Sequence, residues 1–381
     1  MFLVVRLTLV AVVLGACSSA PPSTSLPSLR SAAPSSGSFP LASQSVDAAA
    51  ADARSIALVS DVDGGGTILL VGPDGERERL ITESDEPRID FAPVWDPGGR
   101  RIAHHRLTDG GVAEIHVTEV ATGVSKRVAE VGPPSTTDPR VSWSPNGSQL
   151  AYWSTSGTDN DIMVVASDGT GTPTSLAADQ GADRYPVWSP RDDLVVFWSD
   201  RSGVGSLWIA RPAGEVTLLA EVGALFGAAA WSPDGEAVAV PIEQADNAWR
   251  LHVLDLSGGI LADLAAEGST VSPSWSPDGT RIAYWVVDGL TSRLWIANAD
   301  GSGARDIGPE PAATTHSLAS HGSVGWPEPP TWAPDGTQVA VEWSSADRVE
   351  VIVASAETGE WRSLSPAETN ERSPAWRPSD P

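Results

Sequence analysis

The sequence is poor in residues that cross-link a protein, bind polyanions or span a membrane. Cys17 is its single cysteine, so an internal disulfide is excluded and stability must come from a packed core. Lys and Arg number 24 against 49 Asp and Glu, which gives a formal net charge of −25. Nucleic acid is excluded as an expected partner, because phosphate binding requires clustered basic side chains. The apolar run 7–14 is too short to cross a bilayer.

Patterns for hydrolytic or metal chemistry are also scarce. No Gly-x-Ser-x-Gly occurs, so the nucleophile turn of an α/β-hydrolase is not expected. The run 61–64, Asp-Val-Asp-Gly, lacks the further ligands of a calcium loop, and Asp and Gly are common turn residues. The histidines form no His-Glu-x-x-His or comparable ligand spacing; they are His104, His105, His116, His252, His316 and His321. We therefore expect no metal, no cofactor and no catalytic activity.

The chain does contain a repeat. The tripeptide Trp-x-Pro occurs seven times, beginning at Trp95, Trp143, Trp188, Trp231, Trp275, Trp332 and Trp376. The intervals between these anchor tryptophans are 48, 45, 43, 44, 57 and 44 residues. A period in the forties with four short apolar segments per unit is typical of β-propeller blades.

The repeat that begins at Trp275 illustrates the expected blade. Ser-Pro-Asp-Gly follows at 276–279, and short apolar runs come at 282–285 and 294–297. Pro fixes φ, Asp offers a hydrogen-bond acceptor and Gly adopts positive φ, so tight turns join the strands into a four-stranded antiparallel meander. The residue between the larger apolar ones is usually Ala, which lets neighbouring sheets approach closely.

The two ends of the repeat region complete each other. Residues 55–81 supply three strands with no Trp-x-Pro before them, and the last repeat ends five residues after Trp376. Six complete units and this composite predict an all-β, seven-bladed β-propeller of four-stranded antiparallel blades. Pairing of the N-terminal strands with the C-terminal strand should close the ring and remove an open sheet edge.

The pattern Trp-Ser-Pro-Asp-Gly-x-x-Ile-Ala-Tyr, complete at 275–284, resembles the repeat of TolB-type β-propellers. The same repeat is found in the propeller domains of prolyl-oligopeptidase-like enzymes, and some propellers of this type resemble sugar lyases that need clustered His or acidic ligands. The resemblance covers residues 55–381 and implies the fold more strongly than any one activity. TolB itself resembles a six-bladed propeller behind an α/β domain, whereas seven blades after a low-complexity stretch are expected here.

The N-terminal segment resembles a bacterial lipoprotein leader. Arg6, the apolar run 7–14 and Leu-Gly-Ala-Cys at 14–17 form a signal peptide with a lipobox, and Cys17 would carry the lipid. The alternative is an ordinary signal peptide with an incidental cysteine. Residues 18–52 are rich in Ser, Pro and Ala and predict a disordered tether before a propeller at 53–381. We expect an extracytoplasmic, lipid-anchored protein of the bacterial cell envelope.

Two features are candidate contact sites. Trp153, Trp198 and Trp285 follow their anchors by ten residues and Trp343 by eleven, so these indoles either form an aromatic rim for a sugar or peptide or pack between blades. Residues 309–328 lengthen one interval to 57 and include His316, His321 and Trp326. Such an insertion is either a partner contact or merely tolerated.

These observations favour a monomeric, membrane-anchored propeller that acts as a protein-binding or scaffolding module for another envelope or cell-surface protein. The alternatives are a polysaccharide lyase or hydrolase that works in the central funnel, and a sensor that binds a small ligand or glycan at the aromatic rim. The sequence leaves open the partner, the face used and whether the membrane is inner or outer.

Overall fold

The structure is a computed structural model that describes residues 55–62, 66–72, 75–80, 89–132, 140–154, 160–177, 181–212, 214–223, 228–264, 266–289, 291–309, 327–344 and 348–379. Cys17, the expected leader and tether, and the insertion residues His316, His321 and Trp326 lie outside these ranges. Regular structure within the ranges consists of 28 β-strands and no helix. It follows that none of the described segments is an apolar helix of membrane-spanning length.

The strands form seven four-stranded antiparallel sheets, which confirms the predicted fold class. We number the blades 1 to 7 around the ring. Blade 1 begins with β1 (Ile56–Ser60), β2 (Thr67–Val71) and β3 (Arg77–Arg79). Blade 2 holds β4 (Ile89–Trp95), β5 (Arg101–Leu107), β6 (Ala113–Glu119) and β7 (Ser125–Gly132); blade 3 holds β8 (Ser142–Trp143), β9 (Gln149–Ser154), β10 (Asp161–Ala166) and β11 (Thr174–Ser175).

The remaining blades follow the same order, from the innermost strand to the outermost. They are blade 4 with β12 (Asp183–Trp188), β13 (Val195–Ser199), β14 (Ser206–Ala210) and β15 (Val216–Glu221); blade 5 with β16 (Ala230–Trp231), β17 (Ala237–Glu243), β18 (Trp249–Asp255) and β19 (Ile260–Leu264); blade 6 with β20 (Ser269–Trp275), β21 (Arg281–Asp288), β22 (Thr291–Asn298) and β23 (Arg305–Asp306); and blade 7 with β24 (Thr331–Trp332), β25 (Gln338–Ser344), β26 (Val349–Ser355) and β27 (Trp361–Ser363). The last strand, β28 (Glu371–Trp376), returns to blade 1.

Blade 1 joins the two ends of the repeat region, as predicted. β28 pairs with β1 in a register that opposes Ile56 to Trp376 and Ser60 to Glu371. Beyond the strands, the backbone N–H of Arg377 donates to the carbonyl of Ser55 at 2.9 Å. One β-ladder therefore fastens the first and last described parts of the ring to each other.

The anchor tryptophans pack each blade against the one before it. Each indole shares a hydrophobic cluster with the residue eight positions after the preceding anchor; the pairs are Trp95 with Ala57 of the composite blade, Trp143 with Ala103, Trp188 with Ala151, Trp231 with Val196, Trp275 with Ala239, Trp332 with Ala283 and Trp376 with Ala340. Small side chains at these positions leave room for the large ring. The alanines noted in the sequence are thus the residues against which the anchor tryptophans pack.

Five anchors also donate an indole N–H across the junction. The acceptor is the carbonyl one residue before the preceding anchor, at 3.0–3.1 Å, and the pairs are Trp95 to Ala375, Trp143 to Val94, Trp231 to Val187, Trp275 to Ala230 and Trp332 to Ser274. Trp188 and Trp376 have no such partner within the described residues. A buried hydrogen bond thus specifies how neighbouring blades meet at most junctions.

The first strands fall into two classes. β4, β12, β20 and β28 have six or seven residues, whereas β8, β16 and β24 have two. Each long strand contains a register shift beside a non-glycine residue with φ of 50–55°, directly before a proline; these residues are Ala92, Tyr185, Ser272 and Ser373. Left-handed backbone at non-glycine residues is strained, and such bulges re-aim the side chains that precede them.

Candidate binding surface

The blades expose two different ends. We call the end with the connections between first and second strands, and between third and fourth strands, the turn face. The opposite end, with the connections between second and third strands and from each blade to the next, is the loop face.

The turn face repeats one hydrogen-bonded unit. In blade 6 the Ser276 hydroxyl donates to Asp278 Oδ1 at 2.5 Å and accepts from the backbone N–H of Arg281 at 3.0 Å. In blade 5 Ser232 makes the same contacts with Asp234 and Ala237 at 2.5 and 2.9 Å. The hydrogen bond from the serine is the first cause of a lowered pKa at both aspartates. These contacts hold turns and leave little free for a ligand.

Arginines link neighbouring turns on the same face. Arg101 lies over the Trp143 ring at 4.9 Å and donates to the Gly147 carbonyl at 2.7 Å. Arg281 makes the same two contacts between blades 6 and 7, where it lies 5.2 Å from the Trp332 ring and donates to the Gly336 carbonyl at 2.8 Å. At the ring closure Arg377 covers Trp95 and donates to Gly99. A cation over an indole with a hydrogen-bonded carbonyl beside it stabilises the blade junction.

On the loop face, buried acid–arginine pairs lie near the start of the long first strands. An acidic residue lies five positions before the anchor in three of the four long first strands, and each is buried beside an arginine; the pairs are Asp90 with Arg106, Asp183 with Arg201 and Glu371 with Arg77. Two nitrogen–oxygen distances are 2.8 Å, for Arg106–Asp90 and Arg201–Asp183. The remaining long strand places Thr270 there, and its hydroxyl accepts from the Leu251 N–H at 2.7 Å.

The same arrangement gives opposite pKa shifts in two blades. Burial raises the pKa of Asp90, but hydrogen bonds and charge from His104 and Arg106 outweigh it and leave the pKa below the ordinary 3.8. At Asp183, burial outweighs Ser199 and Arg201, so its pKa is raised. The difference follows from two neighbours: the hydrogen bond with His104 lowers the pKa of Asp90, whereas the nearby charge of Asp161 raises the pKa of Asp183.

Asp90 also belongs to a histidine network. His104 Nδ1 lies 3.3 Å from Asp90 Oδ1, and its Nε2 is 2.9 Å from the Thr118 hydroxyl. The His104 ring stacks on His116, whose Nε2 lies 3.0 Å from Glu114. Burial lowers the pKa of His116 to about 4, although Glu114 opposes that shift. His104 has 0% of its surface exposed, so a substrate has no direct access to this pair.

The four tryptophans of the expected rim lie between blades. Trp153 and Trp285 are each 2% exposed, Trp343 is also buried, and Trp198 is half-buried. Trp285 stacks on Trp343 of the next blade at 6.2 Å, because the offset of one residue turns Trp343 to the opposite face of its strand. Their role as ligand contacts stays a prediction, which variants described below test.

Trp198 is the least buried of the four tryptophans, and Arg184 lies beside it. They oppose each other across the β12–β13 pair, and the Arg184 guanidinium lies 6.0 Å from the Trp198 ring centre. With its amide oxygen toward the arginine, Asn160 accepts from Arg184 Nε and Nη2 at 3.0 and 3.2 Å. Indole Nε1 of Trp198 donates to the Gly223 carbonyl at 3.0 Å. A half-buried cation, amide and indole therefore meet on the loop face, near the opening at the centre of the ring, which we call the loop-face mouth.

A second group at this mouth fixes the C-terminal end of the insertion. The Ser272 hydroxyl donates to the Pro327 carbonyl at 2.6 Å, and Trp285 Nε1 donates to the Glu328 carbonyl at 2.8 Å. The Glu328 carboxylate accepts from the Ser373 hydroxyl at 3.1 Å, and Glu342 accepts from the Ser373 N–H at 3.3 Å. Blades 6 and 1 thus hold Pro327 and Glu328 from both sides.

Sequence reasoning missed the buried acids and the Ser272 and Ser373 contacts. A pattern that could have located them is proline two residues before the anchor, at 93, 186, 273 and 374, which accompanies each bulged first strand. Among the described residues no group of three or more His, Cys, Asp or Glu is arranged to hold a metal.

The architecture is that of a closed β-propeller whose junctions are specified by a repeated tryptophan. Residues 54–311 match the family model of the TolB beta propeller domain, and the chain belongs to this family. It is 28% identical over 244 residues to an uncharacterized protein of Agrobacterium fabrum, covering 58% of this chain and 80% of that one. It is 35% identical over 83 residues to the Tol-Pal system protein TolB of Anaeromyxobacter dehalogenans, covering 22% of this chain and 19% of TolB.

Solved structures share the fold at low identity. TolB from Acinetobacter baumannii is 18% identical with a TM-score of 0.50, over 86% of this chain and 67% of that one. An oligogalacturonate lyase in complex with manganese is 16% identical with a TM-score of 0.60, over 81% and 88% of the two chains. A TolB protein and a lyase thus share this architecture, so function has to be argued from the surface.

Proposed function

We propose that this chain is a protein-binding module of the bacterial cell envelope that presents its loop face to a partner protein. The observation that carries the proposal is the group formed by Arg184, Trp198 and Asn160, where an indole, a cation and an amide meet at the mouth. Aromatic and arginine side chains are the residues that most often dominate protein interfaces. Membership of the TolB propeller family agrees with this class of function.

We propose further that the protein is held at a membrane by lipid on Cys17, with residues 18–52 as a tether between anchor and propeller. Cys17→Ser should stop incorporation of labelled fatty acid and either block processing or release the protein from membranes. A single acyl chain binds a membrane only marginally, so stable attachment would need several chains at the anchor, and a processed Ser variant, which carries none, should be released. A Ser variant that fractionates with membranes as the parent does, together with an unlabelled parent, would contradict the lipid anchor.

Site-specific photo-crosslinking in cells tests the face. A photoreactive residue replaces exposed Val204 in the β13–β14 connection on the loop face or, as the matched control, exposed Arg191 on the turn face of the same blade. We expect a discrete crosslinked envelope protein from position 204 and none from position 191. Trp198→Ala in the position-204 background should abolish the adduct. Equal adducts from both positions, or an adduct indifferent to Trp198→Ala, would contradict the proposal.

A second candidate function is action on a polysaccharide at the same mouth. It is favoured by the convergence of Glu328 and Glu342 on Ser373, at 3.1 and 3.3 Å, since paired carboxylates serve acid–base chemistry. Lyase or hydrolase assays on envelope polysaccharides test it, with Glu328→Gln and Glu342→Gln as variants. We propose binding rather than turnover, so the expected result is no activity; activity lost in either variant would favour the enzyme.

A third candidate, a sensor for a small ligand or glycan, would use the same indole group. Titration of tryptophan fluorescence with oligosaccharides, in the parent and in Trp198→Ala, distinguishes it from protein binding. The expected result is no saturable change.

We propose the insertion at 309–328, with His316, His321 and Trp326, as an additional partner contact. Its replacement by a short Gly-Ser linker should weaken the position-204 crosslink.

A further inference from the structure

The outermost strand of each blade is a sheet edge, and most of these edges are protected. β3 and β7 carry Arg or Lys, β27 has three residues including an arginine, and β11 and β23 have two residues each. Short length and basic side chains are the usual means by which proteins prevent a further strand from pairing. Two outermost strands lack both features. β15 has six residues, Val-Thr-Leu-Leu-Ala-Glu, and β19 has five, Ile-Leu-Ala-Asp-Leu, and neither contains Lys, Arg or Pro. β19 exposes the more apolar surface of the two, because two of its large side chains are exposed and only Leu218 of β15 is.

An exposed apolar patch surrounds this unprotected edge. Ile260 and Leu261 are both 61% exposed, and Leu256 in the preceding turn is exposed as well. A Cβ on Gly258 would lie 2.3 Å from the Leu219 carbonyl, so the turn before β19 packs directly on β15 of blade 4. Exposed Leu218 of β15 therefore extends the patch across the blade border. Clustered exposed apolar side chains on a soluble body mark interaction surfaces.

The charge around the edge defines what can pair with it. Residues 231–267 contain seven acidic residues and one basic residue, Arg250, which gives 1 − 7 = −6. Asp263 lies within β19 and is exposed, and Asp255 begins the turn that leads to it. A strand with basic residues beside its apolar ones would meet this field favourably, whereas a second copy of the chain would bring two −6 blades together.

We propose that β19 is a docking edge for an extended basic peptide segment of a partner protein, which adds a fifth strand to blade 5. Main-chain hydrogen bonds to the free side of β19 would supply affinity. Ile260, Leu261 and the acidic residues would select alternating apolar and basic side chains. This rim surface lies on the outermost strand, whereas the loop-face mouth begins at the innermost strands, so the proposal does not rest on the function proposed for the mouth.

A defined peptide tests the edge. The probe is a fluorescein-labelled nine-residue peptide of alternating Val and Lys, titrated by fluorescence anisotropy at low salt. The double variant Ile260→Lys with Leu261→Lys should weaken binding at least tenfold. The control, Val124→Lys with Trp361→Lys, also replaces two exposed apolar residues by Lys, and should bind as the parent does. All four positions are exposed, so thermal unfolding should match the parent in both variants.

Two companion measurements separate strand addition from charge attraction. A peptide with proline at its centre keeps most of the charge but cannot pair as a strand, and it should not bind. Hydrogen exchange should slow at residues 260–264 when the Val-Lys peptide is present. Equal weakening in both double variants, binding of the proline peptide, or protection confined to other blades would overturn the proposal. A concentration-dependent dimer that Ile260→Lys with Leu261→Lys abolishes would identify a second copy as the occupant and overturn it as well.

Discussion

On the turn face the same hydrogen bonds recur from blade to blade, whereas on the loop face a recurring acid–arginine pair lies among contacts that differ between blades. Ser232 and Ser276 make the same pair of contacts in neighbouring blades. At the other end, Asp90 and Asp183 occupy equivalent positions and have pKa shifts of opposite sign. Both faces are built from the same strands. The fold therefore accounts for the recurring contacts of the turn face but does not require the varied contacts of the loop face.

Contacts that depart from the repeat are the ones that require a functional explanation. A contact that recurs at most junctions, such as the indole donating to a carbonyl, is explained by the need to stack blades. Contacts that occur once, such as Arg184 over Trp198 or Glu328 held by Ser373, have no such requirement. The irregular loop face and the exposed apolar edge β19 are therefore the surfaces on which function is expected.

Removing the strand that closes the ring should have the largest effect, because it breaks both faces at once. A chain that lacks residues 370–381 loses β28, the pairing of Arg77 with Glu371 and the Arg377 contact with Gly99. Exposed sheet edges should then cause aggregation or loss of a cooperative transition, which calorimetry and light scattering measure. Unfolding at the parent's temperature would contradict closure as the source of stability.

Removal of individual loop-face tryptophans should affect stability and partner binding to different degrees. Trp153→Ala and Trp285→Ala should each destabilise the protein by about 3–5 kcal/mol in chemical denaturation, because both side chains fill space between blades. Trp198→Ala should cost clearly less, since Trp198 is half-buried, and should weaken partner binding instead. Trp153→Ala or Trp285→Ala with parental stability and impaired binding would favour the aromatic-rim interpretation.

The sequence predicted the regular part of the molecule because that part is periodic. Trp-x-Pro spacing and Asp-Gly turns are local signals, and they led to seven blades and to the composite closure. The buried pairs were not predicted because their members come from different strands; Arg77 and Glu371, for example, lie 294 residues apart. An exposed acid and a buried one look alike in sequence, so only the fold distinguishes Asp183 from the aspartates of the turns.

The acid–arginine pairs predict a pH dependence that differs between two blades. The pKa of Asp90 is lowered, so the stability it contributes is present above its unfolded pKa and is lost as pH falls through the lowered value. The pKa of Asp183 is raised, so its contribution is present below the unfolded pKa and is lost as pH rises through the raised value. Asp90→Asn should make the acid-side loss of stability shallower, and Asp183→Asn should make it steeper. Urea unfolding from neutral pH to below 3.8 measures both, and slopes that change in the same direction would contradict the assignment.

Serine variants should give the smallest effects and the most direct comparison of the two faces. Ser232→Ala and Ser276→Ala each remove the acceptor of a backbone N–H, so each should cost about 1–3 kcal/mol, and the two values should agree closely.

The loop face offers a second pair of serines at equivalent positions, Ser272 and Ser373. The Ser272 hydroxyl donates to a carbonyl, whereas the Ser373 hydroxyl donates to a carboxylate. Hydrogen bonds to charged groups are stronger, so Ser373→Ala should be the more costly of that pair. Agreement on the turn face together with disagreement on the loop face would establish that regularity at one end and specialisation at the other are energetic as well as geometric. Equal costs within both pairs would remove the basis for treating the loop face as the specialised one.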